Sequence, residues 1–328
     1  MNQWQKDNSH SDRFAFIIRQ YLAVTEQGLT ETQAIKKLEA NLPETHSHEL
    51  SILSDWLNFP REENLTSSQK VLGFLSRMGS LVHQGGAQIK QGELLEMGYE
   101  ASQNSYETFS EFTQNIAPYA ITLLAITSIC FAIFSLKVLP TFETTLLNQG
   151  HELPQVTQWV LNASQYIGLP LLVMVFGFIV IFAAASREIN TALSKGRPVA
   201  GFCFYIPLLK ELAQLIELRK LFILCQLFNT KLSAEDSLDK ALQLTHPNQK
   251  VIQQLEDHYL YVQLHTAAAL NNYATELSYL NSNKELFRSQ LQKLKSRIQI
   301  PLFSAALIIS GLVLISMYLP IFKLGGSL

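Results

Sequence analysis

Charge is scarce in this chain. Only 16% of its residues are Asp, Glu, Lys or Arg, where an ordinary soluble domain carries roughly a quarter. The formal charge is -2, so there is no basic surplus to neutralise phosphates, and nucleic acid is not an expected partner. Cysteine is equally thin. Cys130, Cys203 and Cys225 lie far apart and form no CxxC pair. They read as small buried hydrophobes, with Cys203 and Cys225 in a segment placed where thiols stay reduced.

Chemical motifs are also missing. No GxxxxGK followed by Ser or Thr wraps a nucleotide phosphate, so energy must come from elsewhere. No Ser or Cys stands in a nucleophile elbow. His46 and His48, in THSHE, have no further ligands at metal spacing, and His258 and His265, two turns apart on one helical face, read as packing or surface residues. No catalytic residue, cofactor or metal is expected, and the chain is not expected to be an enzyme. Alternating strand patterns of useful length are absent as well, which makes the fold class all-α.

What the chain has in abundance is apolar sequence, 48% of its residues. It gathers in three runs, Ile116 to Leu139, Ile167 to Ser186 and Ile300 to Phe322, each of the length of about 20 residues that a helix needs to cross a bilayer. Between Lys137 and Arg187 there is no Lys or Arg, whereas Arg187, Lys195, Arg197 and Lys210 crowd one side of the second run and Lys293, Lys295 and Arg297 precede the third. The positive-inside rule then predicts a multi-pass protein of the bacterial inner membrane with its amino terminus cytoplasmic. Residues 1–115 form a first cytoplasmic helical bundle, 116–139 a transmembrane helix, 140–166 a short periplasmic loop and 167–186 a second transmembrane helix. Residues 187–299 form a second bundle, 300–322 a third transmembrane helix and 323–328 a periplasmic tail. Gly168, Gly177 and Gly311 would let such helices approach closely in an oligomer.

The first helical region begins with SDRFAFIIRQYLAVTEQGLTETQAIKKL. A cap at Asp12 starts a helix with Phe14, Ile17, Ile18, Tyr21 and Leu22 on one face. Gly28 supplies a left-handed stop, and Thr30 with Gln33 forms a capping box that starts a second helix burying Ala34, Ile35 and Leu38. The pattern returns in LRKLFILCQLFNTKLSAEDSLDKAL. Ile18 aligns with Leu221, Tyr21 with Leu224, Leu29 with Leu232 and Ile35 with Leu238, while Ser233 and Asp236 repeat the polar restart. Both regions continue as helices, the first through a break at Gly85-Gly86.

The segment between the first two apolar runs is the most specific. Val138, Pro140, Phe142, Gly150, Leu153, Pro154 and Thr157 stand in an order that resembles the inter-span loop of the type II secretion F-domain family, which includes the platform proteins of type IV pili. MYLPIFKLG, with Tyr318 and Pro320, resembles the close of that family, and EQGLTETQAI its glycine-centred turn. The chain departs from the pattern at Lys231, where the second region usually has the turn glycine. Gly92-Glu93 echoes the family's acidic glycine-glutamate turn, with no counterpart evident in the second region.

The resemblance implies a non-enzymatic assembly platform. Such a protein couples a hexameric assembly ATPase to the extraction and polymerisation of pilin or pseudopilin subunits. It implies further contacts with other inner-membrane assembly proteins and the lipid bilayer, and a homo-oligomer. Candidate partner-contact residues are Gly28, Thr30, Lys231 and Ser233 in the turns, together with the loop and carboxyl-terminal residues above. The alternative is a subunit of a small oligomeric channel or carrier, disfavoured because the apolar runs carry no acidic relay.

Overall fold

A computed structural model describes residues 3–58, 70–148, 177, 180–181 and 183–325. The chain divides into two compact units, one of Met1–Ser110 with Glu188–Gln290 and another of Glu111–Arg187 with Leu291–Leu328. Among the described residues all regular structure is helical, as the sequence predicts. Both of its helical regions contribute to the first unit.

The first region runs α1 (Gln3–Glu26), α2 (Glu31–Asn41), a 3-10 turn at Glu44–His46, α3 (Ser47–Asn58), α4 (Lys70–Gln84) and α5 (Gln91–Ile133). Phe14, Ile17, Ile18 and Tyr21 are buried on one face of α1, and Ala34, Ile35 and Leu38 on α2. The helix does not start at Asp12, since the chain is already helical at Gln3, the first described residue. Asp12 costs only about half a kcal/mol inside a helix, too little to force a start.

The second region begins with α7, helical through 183–195, and a 3-10 turn at Gly201–Phe204. It then runs α8 (Pro207–Asn229), α9 (Ala234–Thr245), α10 (Gln249–Glu256), α11 (Tyr259–Ala269) and α12 (Tyr273–Ser282), with α13 (Lys284–Gly325) following. From α8 to α12 the order repeats that from α1 to α5. Even the later break is repeated. Gly86 has φ +83 and Asn271 φ +56, and each is followed by an amide that reaches back five residues, Ala87 N to Val82 O at 3.2 Å and Asn272 N to Ala267 O at 2.9 Å. Asn is the non-glycine residue best suited to that left-handed position.

Helix α8 is the axis of the unit and packs against α4, α9, α10, α12 and the Gly201–Phe204 turn. Leu212, Leu215, Leu218, Phe222, Leu224 and Phe228 are buried around its whole circumference, the signature of a core helix. Three charged residues are buried with them, Glu217, Arg219 and Lys220, and each finds a partner. Glu217 Oε1 accepts from Val199 N at 2.6 Å and from Lys220 Nζ at 2.8 Å, and the same ammonium lies 2.8 Å from Oε2. Lys220 Nζ also donates to Arg197 O at 2.7 Å. Arg219 donates to the carbonyls of Leu280 at 2.8 Å, Asn281 at 2.7 Å and Ala101 at 3.1 Å, and its guanidinium lies 5.0 Å from the centre of the Phe287 ring. Burial pushes the Lys220 ammonium below its ordinary value, against the opposing pull of Glu217.

In the second unit, α5 passes at Ile133 into a π-helical turn, Phe134–Val138, and then α6 (Leu139–Asn148). Here the expectation of three spans is corrected. Among the described residues no helix is long and apolar enough to cross a membrane. The first run changes helical register at the turn that carries Lys137, and most of the second lies outside the described residues. An uninterrupted apolar segment of about 20 residues is what crossing demands. The multi-pass inner-membrane placement with a cytoplasmic amino terminus is therefore withdrawn. Large apolar side chains are nonetheless exposed in this unit, including Ile126, Ile129 and Ile133 of α5 and Leu307, Ile308 and Leu314 of α13.

The cysteines divide. Cys203 and Cys225 are buried and unbonded, whereas Cys130 is exposed, correcting its reading as a buried hydrophobe. Burial raises the Cys203 thiol to about 11 and the Cys225 thiol to about 12, so neither supplies a thiolate near neutrality.

The Glu217–Lys220 pair supplies a test. Lys220→Met strands a buried carboxylate and is expected to lower stability by about 3–5 kcal/mol. Glu217→Leu combined with Lys220→Met should cost clearly less than the sum of the two single changes, as read from urea unfolding.

Candidate partner-contact site

The two hairpin turns are built locally from the capping chemistry their sequences carry. Gly28, at φ +84, closes α1 through its amide to Thr25 O at 2.9 Å. A β-carbon there meets no atom within 4 Å, so backbone conformation rather than space demands glycine. Thr30 then caps α2 with the predicted reciprocal pair. Gln33 N donates to Thr30 Oγ1 at 3.4 Å and Thr30 N donates to Gln33 Oε1 at 3.1 Å.

The second turn reaches the same end without glycine. Lys231 N and Leu232 N both donate to Phe228 O, at 2.8 and 2.9 Å. Lys231 is not among the residues with positive φ, so this turn never visits the left-handed region and the missing glycine costs nothing. Ser233 caps α9 by accepting from Asp236 N at 3.2 Å, while its hydroxyl donates to Asp236 Oδ2 at 2.7 Å.

Both turns meet the start of α5. A β-carbon on Gly92 would collide with the Glu31 carboxylate, which lies against the helix terminus because the glycine leaves room. One residue on, Glu93 pairs with Lys231 at 3.9 Å, with both side chains nearly half exposed. Such an exposed pair contributes little energy, but it marks the two turns as neighbours of one helix end. The α8–α9 hairpin is fastened to the same junction by Lys240 Nζ donating to Gly85 O at 3.0 Å. Gly85 leaves space for the Phe228 ring, which a β-carbon would approach to 2.5 Å.

Of the four turn residues, Lys231 meets the first turn of α5 directly through Glu93, and Thr30 directly precedes Glu31, which meets it at Gly92; Gly28 and Ser233 shape the same two turns. Pro140 and Phe142 lie in α6, and Tyr318 and Pro320 in α13, with Tyr318 exposed; all four belong to the second unit. Gly150, Leu153, Pro154 and Thr157 lie outside the described residues. The histidines take packing roles. His46 meets Phe16 edge to face at 6.0 Å, His258 caps α11 by accepting from Leu260 N at 3.3 Å, and His265 stacks on Tyr261 at 6.1 Å. Among the described residues no three His, Cys, Asp or Glu side chains are grouped to hold a metal ion.

Sequence reasoning missed Glu31 and Gly92 as partners, because a contact between α2 and α5 leaves no periodic trace. It also found no second glycine-glutamate turn. The first turn of α12 carries Thr275-Glu276-Leu277 where α5 carries Gly92-Glu93-Leu94, with Leu94 and Leu277 both buried. The counterpart was hidden because Thr replaces Gly and the connection after Asn271 is shorter than that after Gly86.

Tyr21 is 1% exposed, and burial, then Glu31, then Glu96 raise its phenol to about 12. The unfolded chain releases that proton near pH 10. The folded state holds it more tightly, so its contribution to stability is complete below the unfolded value and is lost as pH climbs through the folded one. Tyr21→Phe should flatten the alkaline fall in stability by up to about 1.4 kcal/mol per pH unit, measured from urea midpoints between those two values. Gly28→Val should lower thermal stability by the equivalent of about 1 kcal/mol, because valine is strained at positive φ.

No family model matches the chain, and neither a curated protein nor a solved structure compared with it gives a match.

Proposed function

We propose that the chain is a non-enzymatic assembly platform of the type II secretion F-domain family, coupling a hexameric assembly ATPase to the polymerisation of pilins or pseudopilins. The observation that carries this reading is the doubled order of helices, α1 to α5 and α8 to α12, each copy opened by a capped hairpin turn. That order accompanies the residue pattern of Pro140, Phe142, Gly150, Leu153, Pro154 and Thr157 and the close at Tyr318 and Pro320. A platform needs a stiff body that transmits load, and a core helix with its charges pinned to three other segments suits that need.

The turns around the first turn of α5 are the contact surface of this proposal, and the ATPase is the partner. Catalysis is not part of the reading. The chain would receive work and pass it on, alone or as a homo-oligomer.

Deletion of the protein is expected to abolish fibre or pseudopilus assembly while leaving turnover by the isolated ATPase intact. Normal fibres in the deletion strain, scored by electron microscopy, would contradict the assignment.

A further inference from the structure

The two helical regions of the first unit do not cover each other reciprocally. Gly86 and Asn271, the left-handed residues just past α4 and α11, set those helices in register. Along that register Leu75 and Leu260, Ser76 and Tyr261, and Val82 and Ala267 are buried in pairs. The flanking stripe differs. In α4 it holds Phe74, Met78 and Leu81, all buried, at a spacing that lines one helical face. In α11 the same positions are Tyr259, Gln263 and Thr266, all exposed, and the stripe runs on through Leu270, which is 73% exposed, with Val262 half exposed beside it.

The cover on α4 comes from the second region. A β-carbon on Gly196, which follows α7, would meet Met78 Cε at 3.0 Å. Phe228 of α8 and Leu244 of α9 lie against Gly85, and Lys240 Nζ donates to Gly85 O at 3.0 Å. The hairpin of the first region that matches α8–α9 is α1–α2. In the alignment that sets Ile18 on Leu221, Lys37 falls on Lys240, and Lys37 is exposed, its ammonium donating to Gln27 Oε1 at 3.2 Å. An interface between unlike surfaces that is used once within a chain leaves one copy of each surface open, and such heterologous contacts continue head to tail.

We propose that the α11 stripe is the docking surface for the α1–α2 hairpin of a second copy of this chain. Charge and size both favour that occupant. Residues 251–283 carry Glu256, Asp257 and Glu276 but no Lys or Arg, whereas α2 presents the exposed Lys36 and Lys37. Within the chain Gly85 faces Phe228; the positions that match them across the joint are Leu270 and Thr25, so a larger side chain again meets a smaller one and the joint can close-pack. Tyr259, Val262 and Leu270 would leave water on docking, which supplies the driving force. The inference goes beyond the platform reading and does not rest on it.

The test uses the full-length protein with the exposed thiol removed by Cys130→Ser and a short bismaleimide crosslinker. One preparation carries Lys37→Cys and a second, distinguished by an epitope tag, carries Leu270→Cys. Mixing the two is expected to give a covalent dimer containing both chains, severalfold above the yield from mixing Lys37→Cys with Ser51→Cys, an exposed position on α3. Either preparation alone should give dimer only at that control level, because a head-to-tail joint does not bring like positions together. Val262→Asn in the Leu270→Cys chain should reduce the mixed dimer severalfold, since docking would bury an amide among apolar side chains. Circular dichroism of each variant checks that helix content is kept.

Mixed dimer at the control level would overturn the proposal and remove a second copy as the occupant of the stripe. Efficient dimer from Leu270→Cys alone would overturn it by showing two like faces in contact. Undiminished mixed dimer in the folded Val262→Asn variant would overturn it as well, by placing the joint off the stripe.

Discussion

The first unit depends on burying α8 with its charges satisfied. Taking Glu217, Arg219 and Lys220 out of water costs several kcal/mol for each ion, and the cost is offset only where partners sit at fixed places. Those partners come from segments remote in sequence: Arg197 and Val199 before the helix, Leu280 and Asn281 at the end of α12, and Ala101 in α5. A slip of α8 by one residue would strand all three charges together. The apolar side chains around the helix supply most of the driving force, but they would tolerate several rotations of it. The charges fix which rotation is native.

The same constraint explains how two regions separated by more than seventy residues of the other unit belong to one body. Arg219 reaches Ala101 of the first region and Asn281 of the second from a single guanidinium. His246 extends the network on another side, with Nε2 3.1 Å from Val199 O and Nδ1 accepting from Asn248 N at 3.0 Å. A nitrogen that accepts an amide hydrogen carries no proton, so the ring donates through Nε2 to Val199. Val199 thus gives its amide to Glu217 and its carbonyl to His246, and a short linker is held at both of its polar groups.

Much of this was legible in the sequence, for physical reasons that differ by element. The α1–α2 hairpin could be read because its signals are local: apolar positions at helical spacing, a glycine that only a left-handed stop requires, and a Thr-Gln capping box within four residues. The second hairpin could be read from Ser233 and Asp236 although Lys231 removes the glycine. What joins the hairpins was not legible. Gly92 against Glu31 and Lys231 beside Glu93 are contacts between segments whose spacing obeys no period. Composition likewise registered an excess of apolar residues without saying where they go. Ile126, Ile129, Ile133 and Leu307 are exposed in the second unit, yet among the described residues no helix is long and apolar enough to cross a membrane.

The repeat also sets a helix covered on one side, α1, beside one covered on all sides, α8, at matching positions. In the alignment that sets Ile18 on Leu221, Phe14 falls on Glu217, Ile17 on Lys220 and Phe16 on Arg219. Phe14 and Ile17 are buried in α1, and Glu217 and Lys220 are buried in α8, so matching positions are buried in both, with apolar chemistry in one and ionic chemistry in the other. Phe16 is 38% exposed and Arg219 is 4% exposed, so this position lies at the surface in α1 and in the interior in α8. A helix covered on one side can leave such a position in water. A helix covered on all sides must supply something there that its new neighbours can use, and Arg219 found three backbone carbonyls. The ionic substitutions in α8 are therefore consequences of its central place.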